Sequence, residues 1–303
     1  VQTRQLLFNT THMLYEPSTL ASVTTLLATA LREDYGIDPE PIFDAAGLSL
    51  MPPDSPQLRY PLSKTRKLWE LAREASGDEA IGLKSGRYAK PTNFYAFGYS
   101  WLASSTLLGA MQRLTRYARV VSTASVEISL VEKPDSYALS GTFPDQSQAP
   151  PREGLDSGMT ALLALCDTIA EKEIRPILVD LARPEASNTE AYRDALRAPV
   201  HFNADVGTMY FDKNVLEEAL PLGAPDVAKA TDRIAEQYIE TLDPHQVASQ
   251  VRQLLINLLP SGKADQEQVA RRLNRSTSTL QRQLKAEGLS YRDVLESTQR
   301  SLA

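Results

Sequence analysis

The sequence predicts an α+β fold, helices with a small mixed sheet over residues 1 to 244, followed by an all-α segment from 245 to 303. Three observations predict it. Up to residue 120, apolar residues recur at helical spacing between irregular links. From residue 121, apolar and polar residues alternate around turn-forming dipeptides, with helical stretches between them. After residue 245, each apolar run is helical and bounded by its own start and stop residues.

In the first part, "STLASVTTLLATALREDYG" has Ser18 as N-cap, an apolar stripe and Gly36 as stop. "DPEPIFDAAGL" is a short helix opened by Asp38 and Pro39. "SLMPPDSPQLRYPLS" carries four prolines and is a loop or extended link. "LSKTRKLWELAREASGDEAIGLKSG" is an amphipathic helical region. "NFYAFGYSWLASSTLLGAMQRLTRYARVVS" supplies one or two helices, with Arg113, Arg116 and Arg119 off the apolar face. Gly98 weakens the helix there by roughly 1 kcal/mol relative to Ala.

Between residues 121 and 220 the pattern is α+β. "ASVEISLVEKPDSYALSGTF" reads as a hairpin turning at Lys133-Pro134-Asp135-Ser136. A strong helix, "GLDSGMTALLALCDTIAEKE", follows, then the strand "IRPILVDLARP" bounded by Pro184, and the helix "TEAYRDALRA". "PVHFNADVGTMYFDK" reads as a closing hairpin around Asp205-Val206-Gly207. A helical connector over 221–244 ends at Asp243-Pro244.

The last segment is all helix. Asp243-Pro244 opens a helix that buries Val247, Val251, Leu254, Leu255, Leu258 and Leu259, and Pro260-Ser261-Gly262 ends it. Asp265 with Gln268 is a capping-box pattern ahead of "EQVARRL", and Asn274 takes the left-handed position at its end. Ser276 caps the next helix, whose inward residues are Leu280 and Leu284, and Gly288 closes it. Ser290 and Asp293 open a final helix through Val294, Leu295 and Leu302.

Composition excludes several classes. At 303 residues and 42% hydrophobic content the chain supports two ordinary cores, and no apolar run approaches the roughly 18 residues of a membrane span. The N-terminal stretch lacks a signal-peptide pattern, and the missing initiator Met indicates numbering from inside the natural product. A single Cys166 rules out an internal disulfide framework and points to a reducing, cytoplasmic setting; His12, His201 and His245 are too far apart in sequence to suggest a metal site. No cofactor is expected: there is no phosphate loop and no dinucleotide fingerprint. "LDSGM" around Ser157 is not a nucleophile elbow, and the acidic pairs Glu171/Glu173 and Glu217/Glu218 are solvated helix ends, so an enzyme is not expected.

Net charge is −6, but unevenly spread. Residues 245–303 hold nine Lys/Arg against five Asp/Glu, whereas the other 244 hold 23 against 33. A basic segment on an acidic body is expected where one module meets phosphates and the other does not.

"RRLNRSTSTLQRQLKAEG" concentrates that basic character in two short helices joined by a tight turn. With Val269, Ala270 and Leu273 packed on Leu280 and Leu284, the residues left outward are Thr277, Ser278, Gln281, Arg282 and Lys285. Gln281 and Arg282 have the chemistry of base edges, Gln for adenine and Arg for guanine in the major groove of double-stranded DNA. Arg275, Thr277 and Lys285 suit phosphates, as do the free N–H groups just after Ser276. The same composition also describes a merely solvated helix face, and a helical tail of this kind could instead dock on a protein partner.

"VARRLNRSTSTLQRQLKAEGLSYRDVLESTQRSLA" resembles the first half of the DNA-binding domain of AraC/XylS-family transcription regulators. The matching positions are Ala270, Ser276, Leu280, Arg282, Leu284, Lys285, Gly288 and Arg300 to Ala303, with Thr279 to Arg282 the most specific stretch. Upstream, "SSTLLGAMQRLTRYARVVS" and "YRDALRAPVHFNADVGTMYFDKNVLEEALPL" resemble the branch with an arabinose-binding-like N-terminal domain, which includes ornithine-utilisation regulators. The resemblance implies a sensor and dimerisation domain over 1–244 that binds a small effector, a homodimer, and an activator that contacts RNA polymerase. It also implies a helix-turn-helix DNA-binding domain over 245–303 with its first unit and part of a linking helix present, the second unit being expected from a longer natural chain. Relatives often carry Arg where this chain has Ser278, which leaves Gln281 and Arg282 with more of the reading.

Candidate effector contacts come from the densest aromatic patch, Phe94, Tyr95, Phe97, Tyr99 and Trp101, where Phe94/Phe97 and Tyr95/Tyr99 pair at helical spacing. Core packing is the plainer reading of these rings. His201, beside Phe202, is a further candidate, with a satisfied core histidine as the plainer alternative. The acidic body favours a cationic ligand only in general terms.

Overall fold

The computed structural model describes residues 16–50, 56–242, 247–259, 264–273, 275–286 and 289–302. These form two compact units, one of residues 17–50 and 59–235, the other of residues 16, 56–58 and those from 236 onward. The readings placed on 1–15, 51–55, Asp243-Pro244, His245, Pro260-Ser261-Gly262, Asn274, Gly288 and Ala303 lie outside the described residues.

The larger unit opens with a short antiparallel pair, β1 (Ser18–Leu20) and β2 (Arg59–Pro61). Ser18 is therefore not an N-cap: helix α1 (Ala21–Tyr35) begins beyond it, without a side-chain cap. The polar groups of Ser18 are committed elsewhere. Its N–H donates to Thr123 Oγ1 at 2.8 Å, and its hydroxyl and carbonyl accept from Arg59 at 2.9 and 2.8 Å. Gly36, at φ 64°, ends α1 in the left-handed conformation. Helix α2 (Glu40–Ala45) starts where Asp38 accepts from the Glu40 N–H at 3.1 Å.

Helices α3 (Leu62–Ser76) and α4 (Ile81–Gly86) follow, then α5 (Tyr95–Leu102) and α6 (Leu107–Val121), so the aromatic and Arg-bearing stretch forms two helices. Gly98 is no weak point in α5. A Cβ there would meet the Pro91 carbonyl oxygen at 1.7 Å, so only Gly admits this approach of backbone to backbone.

The sheet contains β3 (Glu127–Glu132), β4 (Ser136–Thr142), β5 (Leu178–Asp180), β6 (Val200–His201) and β7 (Gly207–Asp212), in the order β3-β4-β7-β5-β6. The β3/β4 hairpin turns at Lys133, whose N–H donates to the Ser136 carbonyl at 2.8 Å. In contrast, β6 and β7 are not a hairpin. Strand β5 lies between them, antiparallel to β7 and parallel to β6, and helix α8 (Thr189–Leu196) makes the crossover that a parallel pair requires. Fully buried Val179 is the reason for that insertion: β5 is central, and a solvent-facing hairpin would leave it uncovered.

Helix α7 (Arg152–Ala170) is the longest, and α4 packs on it backbone to backbone. A Cβ on Gly82 would lie 2.1 Å from the Glu153 carbonyl oxygen, and one on Gly86 2.1 Å from that of Ser157. Gly158, one turn beyond Gly154 on α7, has nothing within 4 Å of the same position. Two Gly→Ala changes should therefore act in opposite directions. Gly82→Ala forces the helices apart and should cost about 1–3 kcal/mol, while Gly158→Ala should stabilise by roughly 0.4–1 kcal/mol, both read from urea midpoints at constant slope.

Helices α9 (Lys213–Glu217) and α10 (Pro225–Glu240) complete this run, the division between units falling inside α10. The smaller unit then contains α11 (Val247–Leu258), α12 (Gln266–Arg272), α13 (Thr277–Ala286) and α14 (Tyr291–Leu302). Their shared core is Val251, Leu255, Val269, Leu280 and Leu284, each 0% exposed, with Ala270 and Val294 at 1%.

Candidate functional site

Two features of the structure can meet other molecules: the outer face of α13 and a cavity in the larger unit.

The α13 face is set by its caps and its core. The Asp265 carboxylate accepts from the Gln268 N–H at 2.7 Å and starts α12; the Ser276 hydroxyl accepts from the Thr279 N–H at 3.2 Å and starts α13. Leu280 and Leu284, one turn apart, point inward. Ser276, Thr277, Ser278, Gln281, Arg282 and Lys285 are exposed, while Arg275 is half-buried.

Their engagements differ. Arg275 donates from Nη1 to Gln250 Oε1 on α11 at 3.0 Å, so part of its guanidinium is held against the unit itself. The Ser276 and Ser278 hydroxyls are bonded to each other at 3.0 Å. Gln281 donates to Gln266 on α12 at 3.3 Å, a long bond that a better acceptor can displace. Arg282 and Lys285 make no hydrogen bond or ion pair with the other described residues.

The cavity measures about 680 Å³. Its walls come from α1, α3, α6 and α7 on one side and from β3, β4 and β7 on the other, with Leu27, Trp69, Leu114, Ile128, Leu155 and Met209 among the apolar residues. Of the six candidate effector contacts, Phe94 and Phe97 line it, their rings edge to face at 6.3 Å. Tyr95, Tyr99, Trp101 and His201 do not. Trp101 is wholly buried, its indole N–H donating to the Leu165 carbonyl at 3.0 Å and its ring meeting Phe97 at 5.8 Å. Tyr99 faces solvent at 48% exposure. His201 is no core histidine: Val200 takes the buried side of edge strand β6, which turns the next side chain outward, 3.4 Å from Asp180.

The cavity also has a charged corner that the sequence reading missed. Asp156 on α7 accepts from Arg183 Nη1 at 2.8 Å and from the Tyr192 hydroxyl at 2.6 Å, and Arg183 Nη1 also reaches Tyr192 at 2.7 Å. Asp156 and Arg183 both line the cavity. Burial pushes the Asp156 carboxyl up from the ordinary carboxylate range, against the pull of the Tyr192 and Arg183 donors. Arg183 Nε is buried and finds no acceptor among the described residues. The available signal was an Asp within an otherwise apolar helix face, "GLDSGM"; nothing in the sequence paired it with an Arg 27 positions on. Cys166 is fully buried in the same helix, and burial raises its thiol pKa, which makes it a core residue. Among the described residues no cluster of side chains could hold a metal ion, and no helix is long and apolar enough to cross a membrane.

Residues 36–220 match the family described as the arabinose-binding domain of AraC transcription regulators, N-terminal. The chain is 26% identical over 274 residues to the ornithine utilization regulator of Pseudomonas aeruginosa, covering 89% of this chain and 79% of that protein. It is 24% identical over 204 residues to the HTH-type transcriptional regulator VirS of Mycobacterium tuberculosis, covering 66% of this chain and 59% of that one. Among solved structures, the transcriptional regulator CdpR from Pseudomonas aeruginosa superposes with a TM-score of 0.46 at 18% identity, covering 86% of this chain and 81% of that one.

Proposed function

Because the chain belongs to the AraC family of transcription regulators that carry an arabinose-binding N-terminal domain, we propose that it is an effector-responsive DNA-binding activator. In this reading residues 1–244 sense the effector and dimerise, and residues 245–303 bind DNA. Helices α12 and α13 are the helix-turn-helix pair, with α13 in the major groove.

The observation that carries the reading is the sidedness of α13. Leu280 and Leu284 are wholly buried, while Thr277, Ser278, Gln281, Arg282 and Lys285 are exposed on a capped helix. Arg282 and Gln281 are the base readers. Lys285, Thr277 and the N–H groups behind Ser276 take phosphates, and Arg275 braces α13 on α11 through Gln250. Ser278 is too short to reach a base, so specificity rests on the two longer side chains.

The effector binds in the cavity, between the helices and the sheet of the larger unit. Binding changes transcription only to the extent that the effector prefers one arrangement of a homodimer's DNA-binding segments over another. RNA polymerase is the partner that an activator of this family addresses.

Single changes on α13 separate the roles. Arg282→Ala should lose about 1–3 kcal/mol of DNA affinity and relax preference at one base pair, whereas Lys285→Ala should weaken all sequences alike and flatten the salt dependence. Titrations of both variants against specific and scrambled duplexes at graded salt measure this. Equal losses on both duplexes for both variants would reject the assignment.

A further inference from the structure

We propose that the cavity takes an apolar ligand, a hydrocarbon chain or ring system with no more than one polar group, and not a sugar or an amino acid. The inference rests on the reading that this cavity is the effector site, and two features of its wall support it.

The first is that every element around the cavity contributes apolar side chains. Val23 and Leu27 come from α1, Trp69 from α3, Leu114 from α6, Met159 from α7 and Ile128 from the sheet. Gly158 lines the same space, with nothing within 4 Å of where its Cβ would stand. A water molecule held among such groups needs about two to four polar partners, which aliphatic and aromatic side chains do not supply. An apolar body needs none, and covering these groups drives its entry.

The second is that polar side chains in the wall spend their donors on the protein itself. Thr24, Thr65 and Gln146 donate to the carbonyls of Ala21, Leu62 and Phe143 at 2.7, 3.0 and 2.8 Å. Thr208 donates to the Val206 carbonyl at 3.3 Å, and the Ser140 hydroxyl is bonded to that of Ser129 at 2.8 Å. A sugar needs a partner for each of its hydroxyls, and a diamino acid brings several charges. Either would leave water without recovering its hydrogen bonds. Of the charged residues in the wall, Asp156 and Arg183 are bonded to each other, while Arg152 and Asp205 are exposed. The Asp156–Arg183 corner can meet one polar head of either sign, so the apolar body defines the class. That class differs from the sugar in the family's description and from the amino acid in the ornithine regulator's name.

The test is calorimetric titration of the purified chain with 1-hexanol, 1-octanol and 1-decanol, neutral ligands that differ only in length, beside arabinose and ornithine. The fluorescence of Trp69, with Trp69→Phe as its blank, is the second readout. The alcohols should bind one per chain, with affinity rising about fourfold per methylene. Arabinose and ornithine should leave both readouts unchanged. Gly158→Phe fills the open space from a helical position and should abolish decanol binding. Met159→Gln keeps the side chain's size but sets an amide in the wall, and should weaken decanol by at least about tenfold.

Failure of the alcohols to bind would overturn the proposal, as would an affinity that does not rise with chain length. Binding of arabinose or ornithine that Gly158→Phe removes would overturn the ligand class while sparing the cavity as effector site. Decanol binding that survives both variants, with each still folded by circular dichroism, would put the apolar site elsewhere and overturn the proposal as well. Saturating decanol that leaves DNA affinity unchanged would remove the effector reading and not the ligand class.

Discussion

Replacing Leu280 with Ala should unfold the helical unit and abolish DNA binding without touching a DNA contact. Leu280 is 0% exposed in a core that it shares with Val251, Leu255, Val269, Ala270 and Leu284. Loss of a buried Leu costs about 2–5 kcal/mol, part transfer and part cavity. A unit of this size has little stability in reserve, because a small domain buries a smaller share of its surface. The loss should be local. Amide exchange in α11 to α14 should speed up by orders of magnitude, while the amides of the paired strands β4 and β7 keep their protection. Arg282→Ala should leave both sets unchanged, so a pure contact loss and an unfolding loss are told apart by exchange alone.

A comparable loss is expected at the other end of the chain's chemistry, from Asp156→Ala. Its carboxylate is 1% exposed and is the shared acceptor for Arg183 and Tyr192. Taking it away leaves a guanidinium in the cavity wall with no counter-charge and a tyrosine hydroxyl with no acceptor. Breaking a buried pair on one side costs about 3–5 kcal/mol, more than the pair itself is worth. Asp156→Asn keeps an acceptor and should lose clearly less, and Tyr192→Phe removes one hydrogen bond and should lose about 1 kcal/mol. Chemical denaturation of the three variants orders them. A loss for Asp156→Ala no larger than for Tyr192→Phe would mean that water reaches Arg183 freely.

How far the sequence disclosed this molecule varied along the chain, for physical reasons. The helices from Val247 onward were legible because local chemistry defines them: Asp265, Ser276 and Ser290 each sit next to the N–H groups they cap. The β3/β4 hairpin was legible for the same reason, its turn residues being contiguous. Strand order was not. The placement of β5 between β6 and β7 depends on pairing across a helix, and no local signal in "PVHFNADVGTMYFDK" distinguishes a hairpin from two strands that flank a third. Ser18 misled because a Ser ahead of an apolar helix looks like a cap until Arg59 and Thr123 claim its polar groups.

The aromatic patch shows the same limit within a single helix. Periodicity grouped Phe94, Tyr95, Phe97, Tyr99 and Trp101, yet only the two Phe side chains reach the cavity wall, because its other walls come from segments distant in sequence. Asp156 and Arg183 escaped notice for the converse reason. Each is ordinary in its own stretch, and the pair becomes a feature only when α7 and the segment after β5 are brought together.

The central claim, that α13 reads DNA, is tested most directly by selecting duplexes from a random pool with the purified chain and measuring its affinity for the winners across salt concentrations. The account predicts that a common sequence emerges, that binding to it weakens steeply as salt rises, and that Arg282→Ala erases the preference at one position of that sequence. If no sequence is enriched, or if Arg282→Ala selects the same sequence with the same preference at each position, α13 is a solvated face and the claim is wrong.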